Sequence, residues 1–132
     1  MTGYMLDTNI CIYMMGRPDD GLALRANRHA GDLFVSSISV GELLFGAAKS
    51  SRQLANRLAV EDFLSVLKVP DFDAAAAAHF GEIRAHLERA GTPCGPYDML
   101  IGAHARSLGL TLVTNNRREF DRMPGLTVEN WV

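Results

Sequence analysis

Cysteine is scarce in this 132-residue chain: Cys11 and Cys94 are too few for a disulfide framework, and neither belongs to a Cys-x-x-Cys pair. Long apolar runs are missing as well. No window approaches ~20 apolar residues without a charge, which excludes a membrane-spanning helix. The start of the chain shows no basic leader followed by an apolar stretch and a small-residue cleavage site, so a cytoplasmic protein is expected. Lysine is nearly absent, with only Lys49 and Lys68 beside 11 arginines. A net charge of −2 excludes a protein that coats nucleic acid through a broadly basic surface. There is no P-loop, no Gly-x-Gly-x-x-Gly after a strand and no Gly-x-Ser-x-Gly elbow. A receiver-type phosphoacceptor lacks its late-strand lysine, and an aspartyl phosphatase would need a second Asp where Asn9 stands. What is present is a chain 48% hydrophobic and 21% charged, enough to bury a core without disulfides or zinc. Residues 1–132 are expected to form one domain.

Short apolar runs alternate with helical patterns along the chain. Tyr4–Leu6 reads as a buried strand, followed by a short helix over 10–15 that stops at Gly16-Arg17-Pro18. A second helix spans 22–30, and Leu33–Val35 is the next strand. Ser39-Val40-Gly41-Glu42 has the form of a capping box, with Ser39 as N-cap of a helix running to Lys49. Leu54, Leu58, Phe63, Leu64 and Leu67 mark one face of a longer helix, and Val69–Phe72 suits a brief edge strand. Phe80, Ile83, Leu87 and Ala90 form a stripe on a helix that Gly91 ends. A further helix covers 98–108, Leu110–Thr114 is the clearest strand, a short helix follows Asn115-Asn116, and Leu126–Glu129 is the last strand. This alternation predicts an α/β fold with a central, mostly parallel sheet flanked by helices.

Ligands of open parallel sheets bind at the carboxyl ends of the strands, and this chain places acids there. Asp7 follows the first strand, Glu42 follows the second, Asp98 opens the helix leading into the late strand, and Glu119 lies just beyond that strand. Each has a structural explanation: Asp7 as an N-cap, Glu42 in a capping box, Asp98 as a helix-start anion, Glu119 as a solvated side chain. Together they point to one site, because clustered carboxylates repel unless a cation joins them, and oxygen donors select Mg²⁺ or Mn²⁺ over zinc. His29, His79, His86 and His104 have no zinc spacing, although His79 and His86 could share a helix face. Cys94 reads as incidental.

In order and spacing, Tyr4-Met5-Leu6-Asp7-Thr8-Asn9, Ser39-Val40-Gly41-Glu42-Leu43 with Gly46-Ala47, Gly95-Pro96-Tyr97-Asp98, and Thr114-Asn115-Asn116 with Glu119-Phe120 resemble the PIN-domain ribonucleases. More closely they resemble the VapC toxins of VapBC toxin–antitoxin pairs, and the likeness runs from Tyr4 to Trp131. The resemblance implies a single PIN domain in which Asp7, Glu42 and Asp98 are the core metal-binding acids. It makes Glu119, which holds the position before Phe120, the fourth acid ahead of Asp121. Asn9, Thr114 and Asn116 would be polar support for metal and water. It further implies a Mg²⁺- or Mn²⁺-dependent endoribonuclease that cuts RNA, including tRNA, in single-stranded loops, leaving a 5′-phosphate and a 3′-hydroxyl. The implied partners are a VapB antitoxin filling the groove by the acids and a second copy of the chain. Two other classes are compatible with the residues: a non-catalytic binding module of the same fold, and a metal-dependent enzyme acting on DNA or a small phosphoester.

Overall fold

In a computed structural model, which describes residues 3–132, four short strands form one sheet in the order β2-β1-β3-β4, every neighbouring pair parallel. The strands are β1 (Tyr4–Leu6), β2 (Leu33–Phe34), β3 (Thr111–Val113) and β4 (Val128–Glu129). Among the described residues seven helices connect them: α1 (Thr8–Met15), α2 (Asp20–Arg28), α3 (Ser37–Lys49), α4 (Gln53–Leu64), α5 (Ala74–Arg89), α6 (Pro96–Ser107) and α7 (Arg117–Phe120).

Both faces of the sheet are covered, which is why its strands read as continuous apolar runs rather than alternating ones. Met5 and Leu112 point to one side, into a core with Ile83 and Leu87 of α5 and Ile101 of α6. Their neighbours Leu6 and Val113 point to the other side, toward Ile10 of α1, Leu22 of α2, Leu43 of α3 and Val60 of α4. Strand pleating alone sends adjacent residues to opposite cores. The turn from α6 into β3 needs a left-handed residue, and Gly109 supplies it at φ 67° while Leu110 N–H bonds back to the Ala105 carbonyl at 3.0 Å.

Three local expectations are corrected. The N-cap of α3 is Ser36, whose hydroxyl accepts from Ile38 N–H at 3.1 Å, so Ser39 is the third helical residue and no capping box forms with Glu42. Three serines, Ser36, Ser37 and Ser39, were eligible, and the extended backbone at Ser36 decides between them. Val69–Phe72 is not a strand: pairing stops at a bridge between Phe34 and Lys68, and Pro70, which has no N–H, only accepts from Ser37 N–H at 3.2 Å. On α4 the buried anchor is Val60, while Leu54 and Leu58 are 70% and 55% exposed, so the leucine stripe does not lie on one buried face.

Candidate active site

Chain β1 leads to β2 on one side and pairs with β3 on the other, and the crevice opens where those connections diverge. Asp7 emerges there. Its backbone N–H continues the ladder to the Val113 carbonyl at 3.0 Å, and its Oδ1 caps α1 by accepting from Ile10 N–H at 2.8 Å. The buried Thr114 hydroxyl, at the end of β3, donates to Asp7 Oδ2. Thr114 Oγ1 in turn accepts from the Asn116 N–H at 2.9 Å. Asp7 is therefore both the helix cap and a fixed carboxylate at the sheet's carboxyl edge. Burial pushes its pKa above the usual range, opposed by the Thr114 and Ile10 hydrogen bonds and reinforced by the charge of Glu42.

Glu42 lies in the second turn of α3, facing α1. Thr8 Oγ1 donates to Glu42 Oε1 at 2.7 Å and stands 3.0 Å from the hydroxyl of the buried Ser39. The serines of this segment thus divide three tasks. Ser36 caps the helix, Ser37 accepts from Phe72 N–H at 3.0 Å, and Ser39 supports Thr8.

Asp98 is the third residue of α6, which Pro96 opens after the N-cap Gly95. Its pKa is pushed up to about 7. Burial is the largest cause, followed by the Glu119 carboxyl at hydrogen-bonding range, and then by the charges of Asp7 and Glu42. All four acids are thereby felt at one carboxyl group. Two unit charges ~5 Å apart repel by on the order of 3 kcal/mol at an effective dielectric near 20. Asp121 stands apart, exposed and bound to Arg117 on its own helix at 3.3 Å. Cys94 Sγ lies 3.5 Å from the Glu119 carbonyl, and burial, then the Glu119 charge, pushes its thiol up, so it has no thiolate character.

A cleft of about 850 Å³ opens over Asp7, Glu42 and Asp98, with Asn9 and Thr8 on its wall. Asn9 is exposed there, whereas Asn116 contributes a backbone N–H rather than a capping side chain. Among the described residues no three acids, histidines or cysteines close into a ready-made ion cage. Oxygen-only donors in an open cleft suit a hard cation that keeps several of its waters. The histidines are placed elsewhere: His79 Nδ1 faces Arg106 Nε at 2.8 Å, His104 is buried against Ser36 Oγ at 2.7 Å, and His29 stacks on Trp131.

Residues 4–126 match the PIN domain family. The chain is 47% identical over 131 residues to the tRNA(fMet)-specific endonuclease VapC of Shigella flexneri, covering 99% of both chains. It is 50% identical over 132 residues, the whole of both chains, to ribonuclease VapC2 of Haemophilus influenzae. The chain belongs to the PIN-domain family, among its VapC ribonucleases. Its fold superposes with a TM-score of 0.96 on the crystal structure of DNA-bound VapBC from Salmonella typhimurium, at 47% identity and full coverage of both chains.

Within this VapC fold Asp7, Glu42 and Asp98 line one cleft, Glu119 stands beside Asp98 without lining it, and Thr114 holds Asp7 directly. From the sequence, Thr8 has no role and Ser39 that of a helix cap; the structure makes them instead a hydroxyl pair that holds Glu42. Phe45, Lys49 and Tyr97, which also line the cleft, gave no chemical signal of their own in the sequence.

Proposed function

We propose that the chain is a toxin that cleaves RNA with Mg²⁺ or Mn²⁺ held by Asp7, Glu42, Asp98 and Glu119. The observation that carries this reading is geometric: Asp7, Glu42 and Asp98 line one cleft at the carboxyl edge of the sheet. Burial first, and then the neighbouring carboxylates, raise the pKa of Asp98, and a divalent cation would relieve that repulsion. When bound, such a cation neutralises charge on the scissile phosphate and lowers the pKa of a water. The chain's own contributions are positional. Thr114 fixes one oxygen of Asp7, Thr8 fixes one oxygen of Glu42, and Asp98, beside Glu119, gives up the proton that its raised pKa lets it hold when a cation enters. Asn9 borders the space left for the substrate, and Asn116 steadies Thr114 through its backbone.

The relative's name supports tRNA(fMet) as the first substrate to test. We further propose a VapB-type antitoxin as partner, in line with the DNA-bound VapBC assembly that the chain resembles, and pairing with a second copy of the chain. An apolar groove of about 230 Å³ between α1, α3 and α4, lined by Ile12, Met15, Leu43, Ala59 and Val60, offers the antitoxin a seat that ends at Glu42. A cation from the antitoxin beside Glu42 would compete electrostatically with the metal.

The test is cleavage of tRNA(fMet), other tRNAs, DNA and a chromogenic phosphoester by wild type, Asp7→Asn and Asp98→Asn in Mg²⁺, Mn²⁺ and EDTA. RNA alone should be cut, only with metal, and each variant should lose at least a hundredfold in rate. Undiminished cleavage by either variant, or by wild type in EDTA, contradicts the mechanism.

A further inference from the structure

Two aromatic rings and one ammonium group in the cleft have no part in holding the acids. Tyr97 precedes Asp98 on α6 and is 57% exposed; Phe45 on α3 is 65% exposed. One turn on, Lys49 places its Nζ 5.2 Å from the Phe45 ring centroid, a cation–π distance. All three line the cleft that contains Asp7, Glu42 and Asp98, and Lys49 is the one cation on that wall among the described residues. A single exposed ring is ordinary on a protein surface; what singles these two out is that they share one cleft wall with a cation and the acids.

We infer that Tyr97 is a stacking platform for a nucleobase next to the cleaved bond, and that Lys49, held over Phe45, grips a neighbouring phosphate of single-stranded RNA. The inference rests on the ribonuclease reading and deepens it by naming residues that select the substrate. Three features favour RNA over a protein segment at this face. A phosphodiester strand repeats flat apolar bases and single negative charges, which a ring and a lone ammonium match. The acids next to them repel that strand unless a metal is present, so Lys49 is the chain's own attraction for phosphate in the cleft. An apolar peptide has a better seat in the groove between α1, α3 and α4.

Tyr97 acts in binding and positioning, so its removal should raise KM more than it lowers kcat. With the single-stranded RNA segment that wild type cuts, Tyr97→Ala should raise KM roughly ten- to a hundredfold, the scale set by one lost base–aromatic stack, and Tyr97→Phe should restore it. Replacing nucleotides one at a time by abasic ones should find a position beside the cleaved bond that costs wild type this same factor and costs Tyr97→Ala nothing more. Lys49→Ala should flatten the dependence of log KM on log salt by about 0.7, the loss of one phosphate contact to a single strand. Equal abasic penalties in wild type and Tyr97→Ala at every position would overturn the stacking role. Unchanged KM with lost antitoxin binding would overturn it too, and assign the face to the protein partner. If wild type cuts no RNA, the ribonuclease reading falls, while quenching of 2-aminopurine-labelled single-stranded RNA by wild type but not by Tyr97→Ala still upholds the platform, and equal quenching overturns it.

Discussion

Asp98 and Glu119 illustrate how one side chain's environment sets its chemistry. Each sits at the start of a helix, where an anion is ordinarily welcome, yet burial and three neighbouring carboxylates outweigh that benefit at Asp98. With its folded pKa raised to about 7, Asp98 holds a proton in the fold that it has lost in the unfolded chain across the interval from about 4 to 7. The fold therefore binds more protons than the unfolded state there, and stability without metal should fall as pH rises through that interval. Asp7, raised in the same direction, adds to the slope. Thermal melts in EDTA between pH 4.5 and 8 should show this decline, and Asp98→Asn should flatten it. Cleavage should rise with pH over the same interval, because the metal needs the deprotonated acids, and more Mn²⁺ should move the rise to lower pH. At the fourth acid, Glu119→Gln should lower the cleavage rate at least tenfold, whereas Asp121→Asn, which breaks only an exposed pair with Arg117, should change it less than twofold. A reversed order would move the fourth acid to Asp121.

Elements carry the acids to one place by rules that were legible in part. That strands β1 and β3 end in polar residues at a sheet's carboxyl edge followed from the apolar runs and the acids behind them, and so did the start of α6 after a proline. The start of α3 did not follow, because the three serines Ser36, Ser37 and Ser39 are equal as caps and differ only in backbone geometry, which is tied on either side of Ser36 by the bonds from Val35 N–H to Lys68 and from Ser37 N–H to Pro70. The face of α4 was misread for a related reason: Leu54 and Leu58 are apolar without being buried, so periodicity alone marked them as core. Their exposure, on a helix whose Asn56, Ala59 and Val60 line the groove between α1, α3 and α4, fits a surface that a partner covers. Removing the C-terminal half of the antitoxin should release ribonuclease activity, and Ala59→Asp, at an exposed position on the groove wall, should weaken inhibition at least tenfold in titrations of cleavage against antitoxin. Full inhibition by the DNA-binding half alone would place the seat elsewhere.

At the scale of the whole molecule, the sheet order and the shared site are one fact. Placing β1 in the middle, with β2 and β3 on either side, puts Asp7 at the divergence of the connections and lets α3 and α6 bring Glu42 and Asp98 in from both sides. The α/β class and a mostly parallel sheet were open to reading from the alternation of apolar strands and helices, and the sheet proves parallel in every pair. The cleft's other furniture was not, since Tyr97, Phe45 and Lys49 acquire a common wall only when α3 and α6 are packed. The cost expected of this convergence is repulsion among the acids in the absence of metal, which should leave the protein below its stability optimum.

The most direct test of a shared metal centre is a set of four melts: wild type and Asp98→Asn, each in EDTA and in millimolar Mn²⁺. In EDTA the variant should melt several degrees above wild type, because it removes one of the mutually repelling charges. Mn²⁺ should raise the wild-type midpoint, by about 2.7 kcal/mol of stabilisation at a concentration 100 times Kd, and raise the variant's far less. A variant that melts below wild type in EDTA yet gains as much from Mn²⁺ would mean that Asp98 is only a helix-start anion and that the acids do not share a site.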